Sequence, residues 1–118
     1  MRTIFAALFL IGAALPASAQ GVTGRYDVEG TNLDGSEYRG TAEDNATSDT
    51  TSTISWQTGG TTSTGICMRQ EDVFVAGYRL GNAVGLVIYR WQEKGKYFDG
   101  TWTVAGSRGT GTERLIPR

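Results

Sequence analysis

A two-residue alternation of apolar and polar side chains constrains this chain more than any other sequence feature. In 25–29, the charged residues Arg25, Asp27 and Glu29 alternate strictly with Tyr26 and Val28. The alternation resumes at 54–56, and further short candidate strands lie at 37–42, 66–69, 73–79, 83–91, 98–104 and 110–116, of which 73–79 and 83–91 are the most apolar. This period is typical of half-buried strands, and no helical period follows residue 20. The sequence therefore predicts an all-β protein with about eight short strands.

Turn signals between these segments indicate how the strands connect. Asp34-Gly35, Gly59-Gly60 and Gly81-Asn82 separate successive strands, and Asp-Gly is a strong hairpin signal. The exception is the polar segment 43–53, which we expect to be a long loop or a weak edge strand. Sequential strands should pair antiparallel as a meander that forms a closed or nearly closed small barrel, which leaves no free edge. A two-sheet sandwich is the alternative.

The first nineteen residues have the pattern of a secretory signal peptide. Arg2 is the only charge before residue 21, an apolar run occupies 4–15, and Ala17-Ser18-Ala19 forms a small-x-small cleavage site. We expect cleavage between Ala19 and Gln20, leaving 20–118 as one exported β-barrel domain that is periplasmic or secreted. No second apolar segment approaches the length of a membrane span.

The charge balance and the absence of histidine restrict the classes of function. The chain has 11 basic and 12 acidic residues and no histidine. Its nearly neutral charge gives no basis for nucleic-acid binding. Without histidine, the commonest general base and metal ligand are missing. We therefore expect no enzyme activity, no metal and no cofactor, and a carboxylate-dependent hydrolase is the least favoured alternative.

Cys67 is the only cysteine, so an intramolecular disulfide cannot form. We expect Cys67 to be a small buried hydrophobic residue, since only Arg69 nearby could make the thiol reactive. An intermolecular disulfide is the alternative for an exported protein.

Aromatic residues fall into two groups. Four of them share a face without charges and are predicted to be core residues: Tyr26, Trp56, Phe98 and Trp102. Tyr89 and Trp91 lie on a strand that is apolar on both faces, because Leu86 and Ile88 occupy the other face. One of these two sets must contact something other than the core. We select Tyr89 and Trp91 as candidate contacts with a ligand or partner.

Glu113 is the acid that the pattern singles out. It shares a face with Leu115, which is predicted to point inward. A carboxylate inside a closed barrel requires a partner, and Arg79 or Arg90 is the predicted partner in a buried ion pair. The alternative turns Arg114 inward and leaves Glu113 in solvent.

Five segments carry a family resemblance: 24–40, 65–69, 85–89, 99–103 and 109–113. Together they resemble a group of small exported bacterial proteins that are often labelled fibronectin-binding protein. The resemblance implies a non-enzymatic exported protein that binds a host matrix or envelope protein. The alternative function is a carrier for a small apolar ligand with an aromatic-lined barrel mouth. The oligomeric state stays open.

Overall fold

The computed structural model describes residues 22–118, which form eight strands and no helix that is long and apolar enough to cross a membrane. The strands are β1 Gly24–Thr31, β2 Glu37–Ala46, β3 Thr51–Thr58, β4 Thr61–Gln70, β5 Val73–Leu80, β6 Ala83–Gln92, β7 Tyr97–Val104 and β8 Gly111–Pro117. Each pairs antiparallel with the next, and β8 pairs with β1 to close a barrel. The predicted antiparallel meander and closed barrel are confirmed. The predicted signal peptide, 1–19, and its cleavage site lie outside the described residues.

The polar segment 43–53 differs from its prediction as a loop or edge strand. β2 continues to Ala46 and β3 begins at Thr51, and both belong to the closed sheet. Asp44 and Ser52 are polar residues that point inward, and the Ser52 hydroxyl donates to Asp44 Oδ2 at 2.9 Å. This buried polar pair conceals the strand alternation, which is why the sequence reads as a loop.

The barrel interior is filled by one side of each strand. The largest fully buried apolar side chains are Tyr26, Val28, Ile54, Phe74, Tyr89 and Leu115. Of the four predicted core aromatics, Tyr26, Trp56 and Phe98 are buried, whereas Trp102 is partly buried and packs against the core.

Four glycines that face the interior lie directly opposite an aromatic residue on a neighbouring strand. The pairs are Gly30 with Tyr38, Gly85 with Tyr78, Gly100 with Tyr89, and Gly111 with Trp102. In each pair the ring occupies the space that a side chain at the glycine position would need. A methyl group on Gly100 would lie 2.6 Å from Cδ1 of Tyr89. The glycines therefore allow large rings to lie against the barrel wall.

The outer face of β4, β5 and β6 exposes apolar side chains. They are Ile66, Met68, Val75, Val84, Leu86 and Ile88. On β6, Leu86 is 61% exposed whereas Tyr89 is fully buried. Leu86 and Ile88 thus face away from the core. This corrects the expectation that Tyr89 and Trp91 form the set on that side of the strand.

Candidate functional site

A cavity of about 300 Å³ occupies one end of the barrel, which we call the cavity end. The turns that follow β1, β3, β5 and β7 lie at this end. Its lining residues are Asn32, Tyr38, Trp56, Thr58, Gly59, Thr61, Ser63, Tyr78, Leu80, Val87, Tyr89, Trp102 and Glu113. Aromatic rings and one acid therefore dominate the walls.

A row of five residues across adjacent strands builds the polar part of the cavity. Glu113 on β8 lies opposite Gly30 of β1 on one side and Gly100 of β7 on the other. Beyond these glycines, Tyr38 of β2 lies opposite Gly30, and Tyr89 of β6 lies opposite Gly100. Each tyrosine ring passes over a glycine, so both hydroxyl groups reach the same carboxylate.

Glu113 accepts three hydrogen bonds. Tyr38 Oη donates to Oε1 at 2.6 Å, Trp56 Nε1 donates to Oε2 at 2.8 Å, and Tyr89 Oη also donates to Oε2. The residue is only 7% exposed. Burial raises the pKa of Glu113, and the three donors oppose that rise by stabilising the charged form.

The tyrosines around Glu113 remain hydrogen-bond donors. Burial, followed by the nearby charge of Glu113, raises the pKa of Tyr38 and of Tyr89 well above the ordinary value. Tyr78 donates to the Thr103 carbonyl at 3.1 Å, and the same two causes raise its pKa to about 12. The site can therefore hold a polar group of a ligand through fixed, protonated phenols and one carboxyl group.

The predicted ion pair between Glu113 and Arg79 or Arg90 is corrected by the structure. Glu113 points inward, but both arginines are exposed, and Arg90 forms a surface pair with Asp72 at 3.5 Å. The prediction placed each arginine on an inward face of its strand. That face points outward on both β5 and β6, so two tyrosines and a tryptophan replace the arginine.

Of the two residues predicted to contact a ligand or partner, Tyr89 and Trp91, only Tyr89 lines the cavity. Tyr89 lines the cavity from a buried position, whereas Trp91 lies near the other end of β6. Trp91 packs edge-on against Phe98 with ring centroids 4.8 Å apart, and its Nε1 donates to Glu93 at 2.8 Å. The structure therefore joins Tyr89 to Glu113 and leaves Trp91 out of the cavity.

Two residues of the site are not identified by the sequence pattern. The pattern assigns Trp56 to the core alone, and it gives Tyr38 no role in a site. Their convergence on Glu113 depends on the register of four adjacent strands, β3, β2, β1 and β8, and on closure between β1 and β8. No local sequence signal reports either property.

The opposite end of the barrel holds a second buried carboxyl group. Asp44 is 0% exposed, and its Oδ2 accepts from Ser52 and, at 3.6 Å, from the thiol of Cys67. Within residues 22–118, Oδ1 has no hydrogen-bond partner. Burial raises the pKa of Asp44 to about 6 and that of Cys67 to about 12. Cys67 is buried, as predicted, and a cavity of only about 20 Å³ adjoins this end.

No family model and no curated protein match this chain. Solved structures do resemble it. A redesigned β-barrel, mFAP1, bound to DFHBI has a TM-score of 0.73 at 20% identity, covering 86% of this chain and 99% of its own. A second redesigned β-barrel, b11L5F_LGL, has a TM-score of 0.74 at 18% identity, covering 88% and 97%. A point mutant of the fluorescent protein UnaG has a TM-score of 0.55 at 7% identity, covering 84% and 97%. These likenesses show that the chain has the fold of a small closed β-barrel.

Proposed function

We propose that this protein binds a small, flat, largely apolar organic molecule inside the cavity end of the barrel. The observation that carries the proposal is the cavity of about 300 Å³ with aromatic walls around one buried carboxyl group. Ligand cavities range from about 300 to 1,000 Å³ and combine apolar walls with a few placed polar groups. This cavity lies at the small end of that range, so it suits a molecule of one or two fused rings.

Similar barrels support the proposal by analogy. The mFAP1 structure is bound to DFHBI, and another neighbour is a designed fluorescence-activating β-barrel with a TM-score of 0.68. Both have an enclosed fold comparable with that of this chain. A shared fold alone does not assign a function, so the weight of the proposal rests on the cavity and its lining.

The composition of the cavity supports binding without catalysis. Glycoside hydrolysis by acids alone ordinarily needs a pair of carboxyl groups on either side of the scissile bond. Among the described residues that line the cavity, Glu113 is the only acid, and Asp44 is not part of the lining. The carboxylate-dependent hydrolase is therefore the least supported alternative.

We also propose that the protein is exported, on the basis of the signal-peptide pattern in 1–19. Intact mass of the envelope or secreted form should correspond to a chain beginning at Gln20.

Binding to a host matrix or envelope protein stays a second proposal that rests on the sequence resemblance, and immobilised fibronectin is its direct test.

Filling the cavity tests ligand binding. Ser63 lines the cavity from β4, whereas the adjacent Thr62 is exposed on the other face of the strand. We expect isothermal titration calorimetry to show 1:1 binding of at least one of three probes: 2-naphthylmethanol, 2-naphthylmethylammonium or 2-naphthoate. A dissociation constant of about 1 mM or below is expected, which corresponds to about −4 kcal/mol.

The matched variants are Ser63→Phe and Thr62→Phe. The first places a ring in the cavity and should abolish binding, and the second should leave the affinity within about twofold. Absence of binding by all three probes would contradict the proposed function. So would equal binding by the native protein and Ser63→Phe, since the ligand would then lie elsewhere.

A further inference from the structure

The cavity contains a buried acid without a cationic side chain beside it. Among the described lining residues, Glu113 is the only one of the Asp, Glu, Lys and Arg types. Its three recorded hydrogen-bond donors, Tyr38, Trp56 and Tyr89, are all neutral groups. The recorded ion pairs of residues 22–118 join exposed side chains on the outer surface, and Glu113 is in none of them. Residues 22–118 therefore supply hydrogen bonds to this carboxylate but no compensating charge.

The carboxylate of Glu113 also keeps one acceptor position. A carboxylate has about four lone-pair sites, two on each oxygen. Oε2 accepts from Trp56 and Tyr89, whereas Oε1 accepts from Tyr38 alone. A second donor to Oε1 can come from a ligand, because Glu113 is part of the cavity lining.

The surrounding rings suit a positively charged group. The Trp56 and Tyr78 rings meet edge to face with centroids 5.4 Å apart, and Tyr38 and Trp102 do so at 6.3 Å. All four residues line the cavity. The negative π-faces of such rings attract ammonium groups, and aromatic cages for organic cations are built in this way.

We propose that the ligand is an organic cation, with a flat apolar body and a protonated amine that donates to Oε1 of Glu113. This inference rests on the proposed function and assigns the chemical class of its ligand. A buried carboxylate without a counter-charge is unfavourable, whereas a charge-assisted hydrogen bond to an ammonium group is roughly twice as strong as a neutral one. The ammonium group of the ligand thus forms an ion pair with the carboxylate of Glu113.

Three probes of equal ring size test the sign of the ligand's charge. They are 2-naphthylmethylammonium, neutral 2-naphthylmethanol and anionic 2-naphthoate, each titrated into the native protein by calorimetry at pH 7.5. We expect the ammonium probe to bind about tenfold more tightly than the alcohol and the carboxylate probe to bind weakest. This comparison needs no variant, so a failure to fold cannot obscure it.

Glu113→Gln then assigns the preference to one residue. It should reduce the advantage of the ammonium probe over the alcohol to about twofold or less, measured as the ratio of their dissociation constants in the same variant. Glu43→Gln removes an acid from the exposed face of β2 and should retain the tenfold preference. Loss of the preference in both variants would indicate a general effect of net charge and would overturn the proposal.

The outcomes separate the two proposals. Cavity binding of the alcohol with no advantage for the ammonium probe would overturn the cation inference and leave the proposed function standing. Tightest binding by the carboxylate probe would do the same. If no probe binds, or Ser63→Phe binds all three normally, the proposed function fails and the cation inference fails with it.

Discussion

Asp44 should make this protein less stable as the pH rises through the weakly acidic range. Its carboxyl group is 0% exposed, and desolvation by burial raises its pKa from 3.8 to about 6 despite hydrogen bonds from Ser52 and Cys67. The native state therefore holds the proton more tightly than the unfolded chain does. By linkage, this contribution to stability is fully present below about pH 4 and is lost as the pH rises to about 6.

The magnitude follows from the difference between the two pKa values. A rise from 3.8 to about 6 is about two pKa units, and each unit corresponds to about 1.4 kcal/mol. The expected loss is at most about 3 kcal/mol between pH 4 and pH 7, because part of the titration of the unfolded chain lies below pH 4. The sign is opposite to ordinary acid unfolding, in which paired surface carboxylates lose stability on protonation.

Urea unfolding of the native protein and Asp44→Asn at several pH values between 4 and 8 measures this effect. Burial also raises the pKa of Glu113, but Glu113 is present in both proteins, so their difference isolates Asp44. The native protein should lose up to about 3 kcal/mol relative to Asp44→Asn over this range. Asp99→Asn, on the exposed face of β7, is the control and should follow the native protein. Parallel pH profiles for the native protein and Asp44→Asn would refute the reasoning.

Two further predictions concern packing and thiol reactivity. Gly100→Ala should lower the free energy of unfolding by about 1–3 kcal/mol, because its methyl group would displace the Tyr89 ring that hydrogen-bonds Glu113. Gly77→Ala is the control, since its new methyl group would stand 3.9 Å from the nearest side-chain atom, and urea unfolding should place it within about 0.5 kcal/mol of the native protein. Cys67 should react with Ellman's reagent at pH 8 only after denaturation, because burial raises its pKa to about 12; rapid labelling of the folded protein would contradict its buried position.

The fold was accessible from the sequence because its signals are local. Alternation of period two identifies strands, and short turns such as Asp34-Gly35 require neighbours in sequence to pair. The strands within 43–53 are not predicted by the alternation, because the polar side chains of Asp44 and Ser52 point into the barrel. Polar residues that point inward can be recognised only when the two residues are known to hydrogen-bond each other across β2 and β3.

The site was only partly accessible, for a different reason. Leu115 indicates that Glu113 faces inward, but β5 and β6 carry apolar residues on both faces, so their alternation cannot say which face is buried. The predicted ion pair requires Ile88 and Arg90, which share one face of β6, to point inward. The burial of Tyr89 opposite Gly100 shows that the other face of β6 points inward. A cross-strand partner can be assigned only after the register is known.

The pairing of β1 with β8 has a kinetic consequence. It joins Val28 to Leu115, whereas all other strand pairs of the described barrel connect consecutive strands. Closing the longest loop last is entropically the least demanding order, so we expect an open meander with two unpaired edges to precede the closed barrel. Glu113 on β8 and Tyr89 on β6 are already joined through β7 in the open meander, whereas Tyr38 on β2 and Trp56 on β3 lie beyond the β1–β8 pairing. The carboxylate therefore meets Tyr38 and Trp56 only when the ring closes, and any ligand that needs the complete site selects the closed form and slows its reopening.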